Sequence, residues 1–176
     1  MFDLTKHFNN KGLSNINNYK SANLSITGYS IPIEDRDNKS LSFLDPTLPQ
    51  DNIECFGQEI ELINKVDTKE IEFYGVGIHG DTSSDVTFIT NEEDTITKAL
   101  CFSAYDYENA FFKENTLVYK SSYLYNCNSD NHFKFDRVGV IWKVSIKFKE
   151  LISLKKIILP FHPGMHIFGI NAIGEE

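Results

Sequence analysis

The chain is short of cysteine, of basic charge and of long apolar runs, and each shortage excludes a class of protein. Cys55, Cys101 and Cys127 are odd in number and widely spaced, which is no disulfide framework, and no Cys-x-x-Cys pair supports a zinc knuckle or a thioredoxin-like centre. Cys55 and Cys101 sit in or beside apolar strand patterns and read as small buried hydrophobes, whereas Cys127 lies in a polar stretch and reads as exposed. A net charge of −8 argues against nucleic acid, whose phosphates are met by basic surfaces that displace counterions. The one basic cluster, Lys143, Lys147, Lys149, Lys155 and Lys156, does not change this, because Lys143, Ser145, Lys147 and Lys149 alternate with Trp142, Val144, Ile146 and Phe148 as the solvent face of an amphipathic strand does. No run approaches the ~20 apolar residues that span a bilayer, so no membrane partner is expected. The first residues carry neither a basic n-region nor an apolar h-region, which points to the cytoplasm; a mature secreted form would read the same.

Helical periodicity is also scarce. With 41% apolar and 24% charged residues the composition is globular, and 176 residues fit one domain, 1–176, large enough for a core without disulfides or metal. Residues 9–40 are rich in Asn, Ser and Asp, with one short strand expected at 24–29. Period-two alternation then places half-buried strands at 58–62 and 69–75. Further strands are expected at 86–90, 95–103, 116–125 and 138–148, separated by segments carrying Gly, Asn and Asp. Helical turns are expected only near 4–8 and 150–154. This spacing predicts an all-β, antiparallel β-sandwich of jelly-roll topology with one or two short helical turns.

The C-terminal region predicts two buried strands joined by a tight turn, because Pro160, Pro163 and Gly164 interrupt two apolar runs and forbid a continuous helix or strand. The last strand, 165–171, is apolar on both faces and therefore belongs between neighbours. Along 142–147, Trp142, Val144 and Ile146 should face inward, and Lys143, Ser145 and Lys147 outward.

Several constellations are set aside on physical grounds. Gly75-Val76-Gly77-Ile78-His79-Gly80 has the look of a dinucleotide-binding glycine pattern, but a polar segment and a strand follow where that motif needs a helix N-terminus. His162 and His166 would share a helix face, yet Pro163 and Gly164 forbid that helix, and an extended chain sets them ~13 Å apart. His162 then reads as a turn residue and His166 as a hydrogen-bonded histidine near the core. No Gly-x-Ser-x-Gly occurs, and no nucleophile–base pair is apparent, so the chain reads as a non-enzyme.

Two segments carry a likeness to a known family. Asn52, Cys55, Gly57-Gln58, Ile60 and Leu62, with Ile158-Leu159-Pro160, Pro163 and Met165-His166-Ile167-Phe168, follow a pattern that resembles galactose-binding-like β-sandwich domains, the jelly-roll accessory modules beside bacterial glycoside hydrolases. Phe8-Asn9-Asn10-Lys11-Gly12 and Gly28-Tyr29-Ser30-Ile31-Pro32 look like its N-terminal landmarks. The resemblance implies a jelly roll and, less specifically, sugar binding. Such modules usually adjoin a catalytic domain, which this chain lacks, so any partner would lie on another chain. Related modules often hold a structural calcium; the oxygen-rich Asn9-Asn10 and Asn17-Asn18 could hold one here, although no spacing fixes a site, and no cofactor is required.

The residues most suited to recognition are Tyr105, Asp106, Tyr107 and Asn109, where rings interleave with carboxylate and amide groups. A ring offers an apolar face to the C–H side of a pyranose while Asp and Asn bond its hydroxyls. The competing reading has Phe111 and Phe112 plug the end of the sandwich and the tyrosines cover an edge. His79, Asp81 and Asp85 are candidate supporting groups on a second loop. The expected function is non-catalytic, lectin-like carbohydrate binding; the alternative is an interaction or structural sandwich that binds another chain or itself.

Overall fold

The computed structural model describes residues 2–33, 41–130 and 132–174. Residues 34–40, the end of the polar N-terminal stretch, lie outside the described residues. Strand accounts for 56% and helix for 4%, giving the expected all-β sandwich, compatible with a jelly roll. The strands are β1 (Leu13–Ser14), β2 (Tyr29–Pro32), β3 (Ile53–Phe56), β4 (Glu59–Gly77), β5 (Thr82–Thr90), β6 (Thr95–Phe102), β7 (Asn115–Ser121), β8 (Tyr125–Asn126), β9 (Gly139–Ile158) and β10 (Phe161–Ile173). The main ladder runs β3-β10-β4-β9-β5-β6, with β7 also on β9, and a small sheet joins β1, β2 and β8. All pairs of the main ladder are antiparallel; β1 and β2 are parallel.

Two long strands make the sandwich. Glu59 lies opposite Ile158 at one end of β4, and Gly77 lies opposite Met165 at the other. A straight strand would part Glu59 and Gly77 by ~60 Å. Yet Phe161, only a short stretch before Met165, already pairs with Phe56, just ahead of β4, and that stretch can reach at most ~14 Å. Strand β4 therefore folds back, with β9 alongside it, and the ladder's register shifts at Glu61/Val66 and Thr68/Glu70 mark where. One half of the β4–β9 pair carries β10, β3 and β7, while the other carries β5 and β6. Apolar side chains from both halves meet: Phe73 lies 6.3 Å from Phe88, and Phe88 lies 5.1 Å from Phe148, ring centroid to centroid. At Gly75 the layers approach so closely that a Cβ would sit 2.7 Å from the Phe102 ring.

The alternation on β9 holds, with Trp142, Val144 and Ile146 buried, Lys143 and Ser145 half-buried and Lys147 exposed. The strands expected at 58–62 and 69–75 are one strand, since bulges bend a ladder without ending it. Residues 150–154 are strand within β9, because pairing with β4 and β5 overrides a weak local helical pattern. The expected strand at 24–29 is mostly a turn, with the Gly28 N–H donating to the Ser25 carbonyl at 2.8 Å, and pairing begins at Tyr29. The expected strand at 116–125 divides into β7 and β8. A helical turn at Thr5–His7 matches expectation; a second, at Tyr19–Ser21, was not foreseen. Cys55 is buried, but Cys101 and Cys127 are both half-buried, so neither the buried reading of the former nor the exposed reading of the latter holds.

The C-terminal strand is central, as its two-faced pattern requires: β10 lies between β3 and β4, and residues 165–170 are all buried. Its entry differs from expectation. The break falls at Leu159-Pro160, β9 and β10 do not pair with each other, and β10 runs through Pro163-Gly164. His162 faces Cys55 and His166 faces Glu54, so residues 163–165 bulge out of the β3 ladder, and a bulge tolerates a proline that has no N–H to offer.

A buried polar clasp ties the N-terminal segment to this strand. The Asp51 carboxylate accepts from Lys11 Nζ at 2.5 Å, the Gly12 N–H at 2.8 Å and Asn52 Nδ2 at 2.9 Å. Burial pushes its pKa up, against the pull of these donors. Asn52 Oδ1 in turn bonds His166 Nδ1 at 2.7 Å. Burial, and secondarily the charge of His79, pull the His166 pKa down from 6.5 to about 4, despite the opposing Pro163 carbonyl. The ring is therefore neutral in the fold. Above the unfolded value both states hold it neutral; as pH falls from about 6.5 towards 4, only the unfolded chain gains the proton, and stability is lost. The loss expected from this group is roughly 2–3 kcal/mol. Urea midpoints at pH 7 and pH 4.5 measure it, and His166→Gln should flatten the slope; an unchanged slope would contradict the assignment.

Candidate binding site at one end of the sandwich

The segment after β6 is stitched to two strands. The Gly77 N–H donates to the Ser103 carbonyl at 3.1 Å, the Tyr105 N–H to the Gly77 carbonyl at 3.0 Å, and the Val140 N–H to the Tyr105 carbonyl at 2.7 Å. Trp142 Nε1 donates to the Ala104 carbonyl at 3.0 Å. Beyond this anchor the chain makes a closed loop. Ser103 Oγ accepts the N–H groups of Phe111 and Phe112, and Asn115 Oδ1 accepts the Ser103 N–H at 2.6 Å. Ser103 and Asn115 are buried, so the loop hangs on a fixed base.

Tyr105 points into the core, where it is 4% exposed, and its phenol bonds Ser25. Burial raises its pKa above the ordinary tyrosine value. Its ring thus presents no face to solvent. Tyr107 is 66% exposed, and Asn109 is exposed beside it on the loop. Asp106 is partly buried and pairs with Arg137 at 3.3 Å. The Arg137 guanidinium also lies 5.2 Å from the centroid of the Tyr29 ring, and a hydrogen bond with Tyr29 raises its pKa. Tyr29 meets Phe135 edge to face at 5.3 Å, and Phe135 meets Phe133, which is exposed. Phe111 is exposed with its edge on Phe112, so it does not plug the sandwich end.

The supporting groups divide. Asp81 joins this end, its carboxylate accepting the Ala104 N–H at 2.9 Å. His79 is exposed and lies towards the β10 bulge, near Gly164. Asp85 is exposed on β5 opposite Ala99, ~13 Å along the strand from Asp81. The structure thus brings together Asp106, Tyr107, Asn109 and Asp81, and adds Arg137 and Tyr29. Arg137 is one of only two arginines in the sequence, the single signal that could have marked it. Asn9, Asn10 and Asn18 turn their side-chain oxygens to Glu54, Asn52 and Asn15, and among the described residues no group of three or more His, Cys, Asp or Glu could hold a metal ion. Among the described residues, no helix is long and apolar enough to cross a membrane.

No family model matches the chain, and no curated protein matches it.

Proposed function

We propose that the chain is a non-catalytic carbohydrate-binding module that takes a sugar at the loop end of the sandwich. The observation that carries this reading is the exposed Tyr107 ring next to the Asp106–Arg137 pair, itself laid over Tyr29. Tyr107 supplies a face for the C–H side of a pyranose, and the ion pair supplies acceptors and donors for hydroxyls. The buried base at Ser103 and Asn115 keeps the loop's ordering cost low. The resemblance to galactose-binding-like sandwiches supports the same reading. A second reading, an interaction module, draws on the exposed rings of Phe56 and Phe161, whose centroids lie 5.9 Å apart. Two rings make a patch smaller than protein interfaces require.

An array of mono- and oligosaccharides at millimolar protein tests the proposal. Tyr107→Ala is expected to weaken binding about tenfold, roughly 1.4 kcal/mol, with an unchanged melting midpoint. No signal from any sugar transfers the assignment to the interaction module.

A further inference from the structure

The aromatic surface at the loop end does not stop at Tyr107. On the Arg137 side of the Asp106–Arg137 pair, the chain carries Phe133, Phe135 and Arg137 at every second position. Phe135 is held in place. Its N–H donates to the Leu124 carbonyl at 3.0 Å, its carbonyl accepts the Leu124 N–H at 3.1 Å, and Leu124 is fully buried. The Arg137 N–H donates to the same Phe135 carbonyl at 2.7 Å. Both side chains meet one ring, Tyr29: the guanidinium lies 5.2 Å from its centroid, and Phe135 meets it edge to face at 5.3 Å. Phe133 packs 4.8 Å from Phe135 and is 57% exposed, while Tyr29 and Phe135 are half-buried behind it. A lone exposed phenylalanine is ordinary on a protein surface. This one is backed by two rings and joined through them to the ion pair of the loop. Two exposed rings therefore flank that pair, Tyr107 next to Asp106 along the chain and Phe133 reaching Arg137 by way of Phe135 and Tyr29. Neither sign of charge prevails along the strip. Asp106 is matched by Arg137 and Glu108 by Lys120, and exposed Lys134 and Asp136 are of opposite sign.

We propose that the ligand is a linear, neutral oligosaccharide, with one sugar ring on Tyr107, the next over the Asp106–Arg137 pair and a further one on Phe133. This rests on the carbohydrate-binding reading above and names the class of sugar that the site takes. Two flat apolar faces separated by a hydrogen-bonding pair repeat what a glycan chain offers, C–H faces interspersed with hydroxyls. A single sugar covers Tyr107 and the pair and leaves Phe133 in water. Sugars linked to it bury that second ring with no further loss of translational freedom, so chain length raises affinity. Because the charges along the strip balance, the ligand needs none of its own.

Isothermal titration with glucose, galactose, mannose and N-acetylglucosamine, each beside its own linear trisaccharide, tests the proposal. For at least one sugar the trisaccharide should bind about tenfold tighter than the monosaccharide, the worth of one more stacked ring. Phe133→Ala should remove that gain and leave the monosaccharide's affinity and the melting midpoint unchanged. Phe133→Tyr, which keeps the ring, should keep the gain, and Tyr107→Ala should weaken binding of both ligands; Phe133→Gln serves if Phe133→Ala fails to fold. A trisaccharide that binds no tighter than its monosaccharide, or a gain that survives loss of the Phe133 ring, overturns the proposal and leaves the carbohydrate-binding reading standing. So does a Phe133→Ala variant that weakens both ligands equally. Absence of binding by every one of these sugars counts against that reading itself and takes the present proposal with it.

Discussion

Deletion of residues 165–176 is expected to abolish cooperative unfolding. The segment supplies most of β10, which hydrogen-bonds to β3 on one side and β4 on the other, so its loss turns both neighbours into unpaired edges. It also removes Met165, Ile167, Phe168 and Ile170, all essentially inaccessible, from the core. At ~1.5–3 kcal/mol for each buried side chain, the loss is roughly 6–12 kcal/mol, which matches the whole stability of an ordinary domain. Removing His166 releases the Asn52 side chain and loosens the clasp around Asp51. Circular dichroism melts measure the outcome. A sharp transition at an unchanged midpoint would contradict the central placement of β10.

Trp142→Ala is expected to cost about 3–5 kcal/mol, in line with other large-to-small aromatic changes in cores. The indole is 1% exposed and is among the largest fully buried side chains. It has a second task, because its N–H satisfies the Ala104 carbonyl in the segment that carries Asp106 and Tyr107. The substitution should therefore lower the urea midpoint and also weaken sugar binding, unlike Tyr107→Ala, which should weaken binding alone. As the only tryptophan in the chain, Trp142 makes wild-type unfolding visible by fluorescence. A cost below about 1 kcal/mol would contradict its packing role.

The sandwich was legible wherever period two ran unbroken. The alternation from Trp142 to Lys147 and the two-faced run after Met165 each predicted burial that the structure has. What escaped was the reach of the strands. A bulge in β4 and another before His166 look in sequence like ends, because Asn, Asp, Pro and Gly serve both as turn residues and as bulge residues. The loop site was legible in part. Interleaved rings and carboxylates marked residues 105–109, but composition cannot tell that Tyr105 turns inward to Ser25 while Tyr107 turns outward. Arg137 and Tyr29 come from distant parts of the chain and meet only through the fold.

The most direct test of the proposed function is a titration of the ¹⁵N-labelled protein with the best-binding neutral monosaccharide of the array, followed by amide shifts. Saturable shifts confined to residues 106–109, Asp81 and Arg137 are the predicted result. Shifts gathered elsewhere on the surface, or none at millimolar sugar, would contradict it.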